Sequence, residues 1–193
     1  MVDPIVTLPE PKTQFHRVFD AVSNRLRTVF PERLFDLQMM SATPSRDEWL
    51  KVTRRKPCIA ISWVDFKPAA ASQRLLKGDA SFTVYLVVDN AEISRRFLGD
   101  ARGVGLFGML TAASYLLHGF TIDDVGTIKV TGANAIERAD WIDETTEIAG
   151  LTTSIPMSVG DGIASATLED FLRLGASWMA NGADAGFGTI SME

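Results

Sequence analysis

The stretch Ala80-Ser-Phe-Thr-Val-Tyr-Leu-Val-Val-Asp-Asn90 decides how this chain is read. Phe82, Val84, Leu86 and Val88 fall on one side of a two-residue period, and Thr83, Tyr85 and Val87 fall on the other. Alternation in a run so rich in β-branched and aromatic residues predicts a β-strand with one apolar and one mixed face. Upstream, Cys58-Ile-Ala-Ile-Ser-Trp-Val64 repeats the pattern, and the linker between the two runs is long enough for an antiparallel return.

Helical patterns flank this pair. Phe15, Val18, Phe19, Val22, Leu26, Val29 and Phe30 recur at three- and four-residue spacing, which predicts an amphipathic helix from Thr13, its cap, to about Phe30, before Pro31. His16, Asp20, Asn24 and Arg27 fall on its outer face. A short strand over 34–40 and a short helix beginning near Thr43 follow. Residues 65–79 read as a loop with a basic tip at Arg74 and Lys77, and 90–103 as a polar connector containing Arg95 and Arg96. The next helix runs from Val104 to about His118, with Leu106, Phe107, Leu110, Ala113 and Leu117 inward and Gly119 as its stop. Strands are expected at 127–131 and 147–159, the latter with a bulge or bend at Gly150. The segment 135–143 is ambiguous between strand and connector.

The fold class expected is α+β: a mostly antiparallel sheet of four to five strands packed against two main helices, with an extra C-terminal helix. Residues 1–12 read as an extended, proline-stiffened arm, with neither the basic start nor the apolar centre of a signal peptide. Residues 13–162 form the domain. Residues 163–193 carry an apolar stripe, Leu168, Phe171, Leu172 and Trp178, on a helix followed by a glycine-rich tail. A helix that short needs a surface to dock on, either its own sheet or a neighbouring subunit, and the glycine-rich tail favours the neighbour.

With 193 residues, 46 % hydrophobic and 22 % charged, the chain suits one soluble domain with a filled core. No apolar run reaches the ~18–20 residues that span a bilayer, so no membrane partner is expected. Cys58 is the sole cysteine, so no intrachain disulfide forms and synthesis in a reducing cytoplasm is expected. The net charge of −5 is unevenly spread: residues 1–119 hold 16 Lys and Arg against 12 Asp and Glu, and residues 120–193 hold 3 against 12. A polarised subunit suits stacking against copies of itself, although an acidic half that is merely solvated has the same composition.

Catalytic chemistry is scarce. Gly103-Val-Gly-Leu-Phe-Gly108 matches the dinucleotide fingerprint, but about a dozen polar residues part it from the preceding strand, where a Rossmann turn allows almost none. Glycines that let a helix start bend and pack closely are the plainer reading. With two histidines, one cysteine and no nucleophile-elbow serine, no zinc spacing and no nucleophilic triad is legible. The acidic run Asp140, Asp143, Glu144 and Glu147 lacks a compact ligand loop and reads as a solvated strand edge. No enzyme, cofactor or metal is expected. The densest basic cluster, Lys51, Arg54, Arg55 and Lys56, reads as a solvated loop or as a contact for DNA or an acidic partner.

The order of elements resembles a Mu-like prophage tail protein family that is itself similar to the phage tail terminators, over about residues 13–160. The matching stretches are 15–30, 57–64, 80–90, the helix start Arg102-Gly-Val-Gly-Leu-Phe-Gly-Met-Leu110, and 126–157. The family's arginine-and-glycine turn falls on Arg102-Gly103. The resemblance implies a structural virion protein at the head-proximal end of the tail, assembled in the bacterial host. There it would cap the finished tube as a homohexameric ring, stop tube polymerisation and receive the head–tail connector. Its partners would be copies of itself, the major tail tube protein, the connector and DNA passing through the ring. Lys51, Arg54, Arg55, Lys56, Arg74, Lys77, Arg95 and Arg96 are the candidate lumen or partner contacts. A neck or head-completion protein is the related alternative, and a nucleotide-binding enzyme using Gly103–Gly108 the unrelated one.

Overall fold

The computed structural model describes residues 13–70, 76–101, 103–137, 139 and 142–159. Helix α1 (Gln14–Arg27) starts at Thr13, whose hydroxyl accepts from His16 N at 3.4 Å and whose extended backbone ends the preceding segment. Strand β1 (Asp36–Met39), helix α2 (Arg46–Val52) and strands β2 (Cys58–Pro68) and β3 (Leu76–Asp89) follow. A short helix α3 (Ile93–Leu98) leads into the two-residue strands β4 (Gly99–Asp100) and β5 (Gly103–Val104), then helix α4 (Leu106–Leu117). After the small pair β6 (Thr121–Ile122) and β7 (Gly126–Thr127) come β8 (Lys129–Ala135) and β9 (Thr146–Val159).

The main sheet has five strands in the order β1-β2-β3-β9-β8, antiparallel except for the parallel β1–β2 edge. The class expected from sequence, α+β with a mostly antiparallel sheet, is the one observed. Strand alternation divides two apolar clusters between the faces of the sheet. Ile59, Ile61, Phe82, Val84, Leu86, Val88, Leu151 and Ile155 meet α1 and α4 on one face. Cys58, Ala60, Val87 and Ile148 meet Trp49 and Val52 of α2 on the other. Fully burying one such side chain contributes about 1.5–3 kcal/mol, so the larger cluster is the chief source of stability.

Several elements depart from the sequence reading. The segment 65–79 is not one loop: β2 continues to Pro68 and β3 begins at Leu76, so Lys77 lies in a strand opposite Ser158. Pairing extends there although the local sequence lacks alternation, because a bulge between Trp63 and Asp65 turns Phe66 towards the helix face, against Phe15. The connector 90–103 contains α3 and the β4–β5 pair, too short for periodicity to reveal. Helix α2 is capped by Ser45, which accepts from Glu48 N at 3.2 Å, rather than starting at Thr43. In α4 the inward stripe is Leu106, Met109, Ala113, Leu116 and Leu117, while Phe107 is half exposed. Gly150 sits in regular pairing with Tyr85 and Asn134, and the bulge belongs to β8, between Val130 and Gly132. Gly119 does end α4, with φ +77°.

Arm 1–12 and the C-terminal segment with Leu168, Phe171, Leu172 and Trp178 lie outside the described residues. So do Arg74, Arg102 and Asp140.

Candidate functional site

The seven candidate cations among the described residues do not form one patch. Lys51, Arg54, Arg55 and Lys56 precede β2 at the end of the sheet where β3 finishes, near Asp89. Lys77 lies twelve residues back along β3, about 40 Å away at strand rise.

Lys56 is held by partners inside the subunit. Its side chain is 13 % exposed, and Nζ lies 3.1 Å from Asp143 Oδ2 and 3.8 Å from Asp89 Oδ1, with Thr146 Oγ1 completing the set. It locks the start of β2 to the end of β3 and the approach to β9. Arg96 is likewise held inside the subunit. It is 8 % exposed, its Nη1 donates to Glu144 O at 2.9 Å, and it lies 3.6 Å from Glu147 Oε2. Arg95 is held by Glu92 at 2.7 Å and Asp100 at 3.8 Å. Arg55 donates to Arg33 O at 3.2 Å. Lys51, Arg54 and Lys77 are exposed and have no ion-pair partner among the described residues.

These pairs also recast the charge asymmetry. Lys56–Asp143, Arg96–Glu147 and Arg17–Asp124 each join a cation of the first 119 residues to an acid of the remainder. Part of the sequence polarity is therefore neutralised inside the subunit. The acidic run is not a free edge either, since two of its members hold buried or half-buried cations. Among the described residues no group of three or more acids, histidines or cysteines has a metal-holding arrangement.

The Gly103–Gly108 motif serves packing. Gly103 is in β5, Gly105 caps α4 and Gly108 is in its first turn. A Cβ at Gly105 would come within 2.3 Å of Gly99 N and 2.6 Å of Phe97 O, and one at Gly108 within 2.5 Å of Val104 Cγ2. Gly99 itself needs φ +80°. The glycines let β4–β5 press against the start of α4, as the plainer reading expects. His118 caps the other end, where its Nδ1 accepts from Val130 N at 3.2 Å. Burial, reinforced by Asp36 and opposed by Lys56, pushes the Cys58 thiol up to about 12, so it is a core side chain rather than a nucleophile.

Two surfaces escaped the sequence reading. On α3 and α4, Ile93, Leu98, Phe107 and Tyr115 are all more than half exposed, and Phe107 and Tyr115 lie two turns apart on one face. Of these only Tyr115 was legible, as a large residue left out of the inward stripe assigned to α4. Below the start of α1, an apolar groove of about 500 Å3 is lined by Phe15, Phe19, Met39, Ile61, Trp63 and Phe82. Trp63 is half exposed although its strand neighbours Ile59 and Ile61 are buried.

No family model matches the chain, and no curated protein matches it. Among solved structures, 76 % of this chain is covered by a match to 92 % of a chain in the "Virion of native gene transfer agent (GTA) particle", with a TM-score of 0.39 and 11 % identity. An overlap of that extent identifies neither a partner nor a role.

Proposed function

We propose that this protein is a structural component of a phage-like virion, a tail terminator that closes the finished tube as a hexameric ring and offers a surface to the head–tail connector. The observation that carries the assembly part is the exposed apolar face of α3 and α4. Tyr115 is 83 % exposed and Leu98 74 %, and Ile93 and Phe107 on the same two helices are also more than half exposed. Large apolar side chains left exposed on two neighbouring helices of a small domain suit an interaction surface. A closed ring needs two different patches that fit each other. The second patch in this reading is β8, an edge strand with mostly exposed side chains. The terminator role itself rests on the resemblance in element order over residues 13–160. In this reading Leu168, Phe171, Leu172 and Trp178 belong to assembly, and Lys51, Arg54 and Arg55 remain the cations available to DNA or an acidic tube.

The test is mass measurement of the protein alone and on purified tail tubes. Six copies of 21.1 kDa give a ring of about 127 kDa. Changing Phe107→Glu and Tyr115→Glu together should leave the folded monomer intact and abolish the ring. A strict monomer on tubes, or a ring indifferent to both changes, overturns the proposal.

A further inference from the structure

The groove beside Trp63 is continuous with an open strand edge. Strand β1 covers β2 only from Cys58 to Ile61. Met40 N then donates to Ile61 O at 3.0 Å, and the chain turns away into the residues before α2. Strand β2 runs on to Pro68, and among the described residues no strand pairs with this edge past Ile61. In a strand, N–H and C=O of one residue point the same way, and the direction alternates along the chain. Ile61 points to the β1 side, so Trp63 turns its own N–H and C=O to the open edge, where the carbonyl also accepts from Ser62 Oγ at 3.3 Å. An uncovered edge beside an apolar groove is a template for an added strand.

We propose that Ile5–Leu8 of this same chain fills the site, pairing with β2 from Trp63 onward and dropping Val6 and Leu8 into the groove. Three observations favour this occupant. Phe15 and His16 in the first turn of α1 form one wall of the groove, and Phe15 packs edge-on against Trp63 at 5.8 Å and Phe66 at 6.2 Å. Residues 1–12 therefore join the domain at the site itself. Leu8 is five residues before Thr13, about 17 Å of extended chain, so the segment can fold back. The composition also fits: Ile5-Val-Thr-Leu8 is a strand-forming run bracketed by Pro4 and Pro9, and prolines are admitted only at the ends or edges of strands. A tethered segment meets its groove at an effective concentration near the millimolar range, above that of any second copy in dilute solution.

Amide exchange followed by NMR on the full-length chain tests this. The Trp63 amide and those of Ile5–Leu8 should exchange about tenfold or more slowly than free peptide, and to the same degree across a wide range of protein concentration. The double change Val6→Asp and Leu8→Asp should return the Trp63 amide to the free rate and leave α4 amides protected. A Trp63 amide already at the free rate in the unaltered protein overturns the proposal. Protection that survives the double change, or that rises with protein concentration and so belongs to a second copy, overturns it too. So does protection lost instead in Leu168→Asp, which would assign the groove to the C-terminal segment.

Discussion

Arg96 shows how little the type of a residue says about its use. In sequence it is one of an exposed-looking pair with Arg95, yet it is buried and spans from α3 to the segment leading into β9 through Glu144 O and Glu147. Arg96→Ala leaves that carbonyl and carboxylate without their cation, and should cost about 1–3 kcal/mol. Arg54→Ala, exposed and unpaired among the described residues, should stay within about 0.5 kcal/mol. Denaturant titration of the two variants checks the contrast, and equal effects contradict it. Glu48 supplies a pH-dependent case. Its carboxylate accepts from Ser41 Oγ at 2.5 Å and Ser41 N at 2.7 Å, which holds its pKa below the ordinary 4.5. A depressed acid stabilises the fold above its unfolded value, and that contribution fades as pH falls through the folded one. Carboxyl titration by NMR should place the Glu48 midpoint below 4.5, and a midpoint at or above it would remove the Ser41 clasp.

At the scale of elements, the C-terminal end of α1 is tied down by atoms that helical periodicity ignores. Arg25 Nε donates to Leu116 O at 3.2 Å and its guanidinium lies over Phe120, so α1 satisfies an orphan carbonyl at the end of α4. Arg27, assigned by pattern to the outer face, reaches back to Phe35 O at 2.7 Å. The glycine motif at α4 yields a sharper test. Gly105→Ala drives a Cβ into the backbone of Gly99 and Phe97, where neither neighbour can yield cheaply, whereas a Cβ at Gly103 meets nothing within 4 Å. Gly105→Ala should therefore lower stability by about 1–3 kcal/mol, and Gly103→Ala should change it little. Thermal melts compare them directly. A nucleotide-binding loop would behave otherwise, losing ligand affinity on either change, and titration with a dinucleotide supplies that control.

At the scale of the whole molecule, three cations of the first 119 residues, Arg17, Lys56 and Arg96, are matched to acids of the remainder among the described residues, leaving Lys51, Arg54 and Arg55 as the outward remnant of the basic cluster. If that remnant faces a DNA path or an acidic tube, Arg54→Glu with Arg55→Glu should spare folding and reduce infectious particles. Lys56 must be left out of such a variant, because reversing it sets three acidic groups, its own and those of Asp89 and Asp143, together at the end of the sheet. An unchanged titre returns Arg54 and Arg55 to the solvated loop.

What sequence by itself determined here is whatever repeats with a local period. Strands β2, β3 and β9, helices α1 and α4, the Thr13 cap and the Gly119 stop are all written in alternation, in three- and four-residue spacing, or in one residue's backbone freedom. Their order was enough for the α+β class, and the apolar stripes named most of the core. The tertiary structure decided what depends on partners distant in the chain. Whether Lys56 and Arg96 are contacts or struts turns on Asp143, Glu144 and Glu147, about fifty to ninety residues away, whose approach no local pattern encodes. The edge of β2 at Trp63 is open among the described residues because β1 ends at Met39, opposite Ile61. Phe107 is turned outward because the close packing of α4 selects Met109 instead. The extension of the β2–β3 hairpin beyond its alternating segment is likewise a product of pairing, since ladder bonds and the packing of Phe66 stabilise strand where propensity is silent.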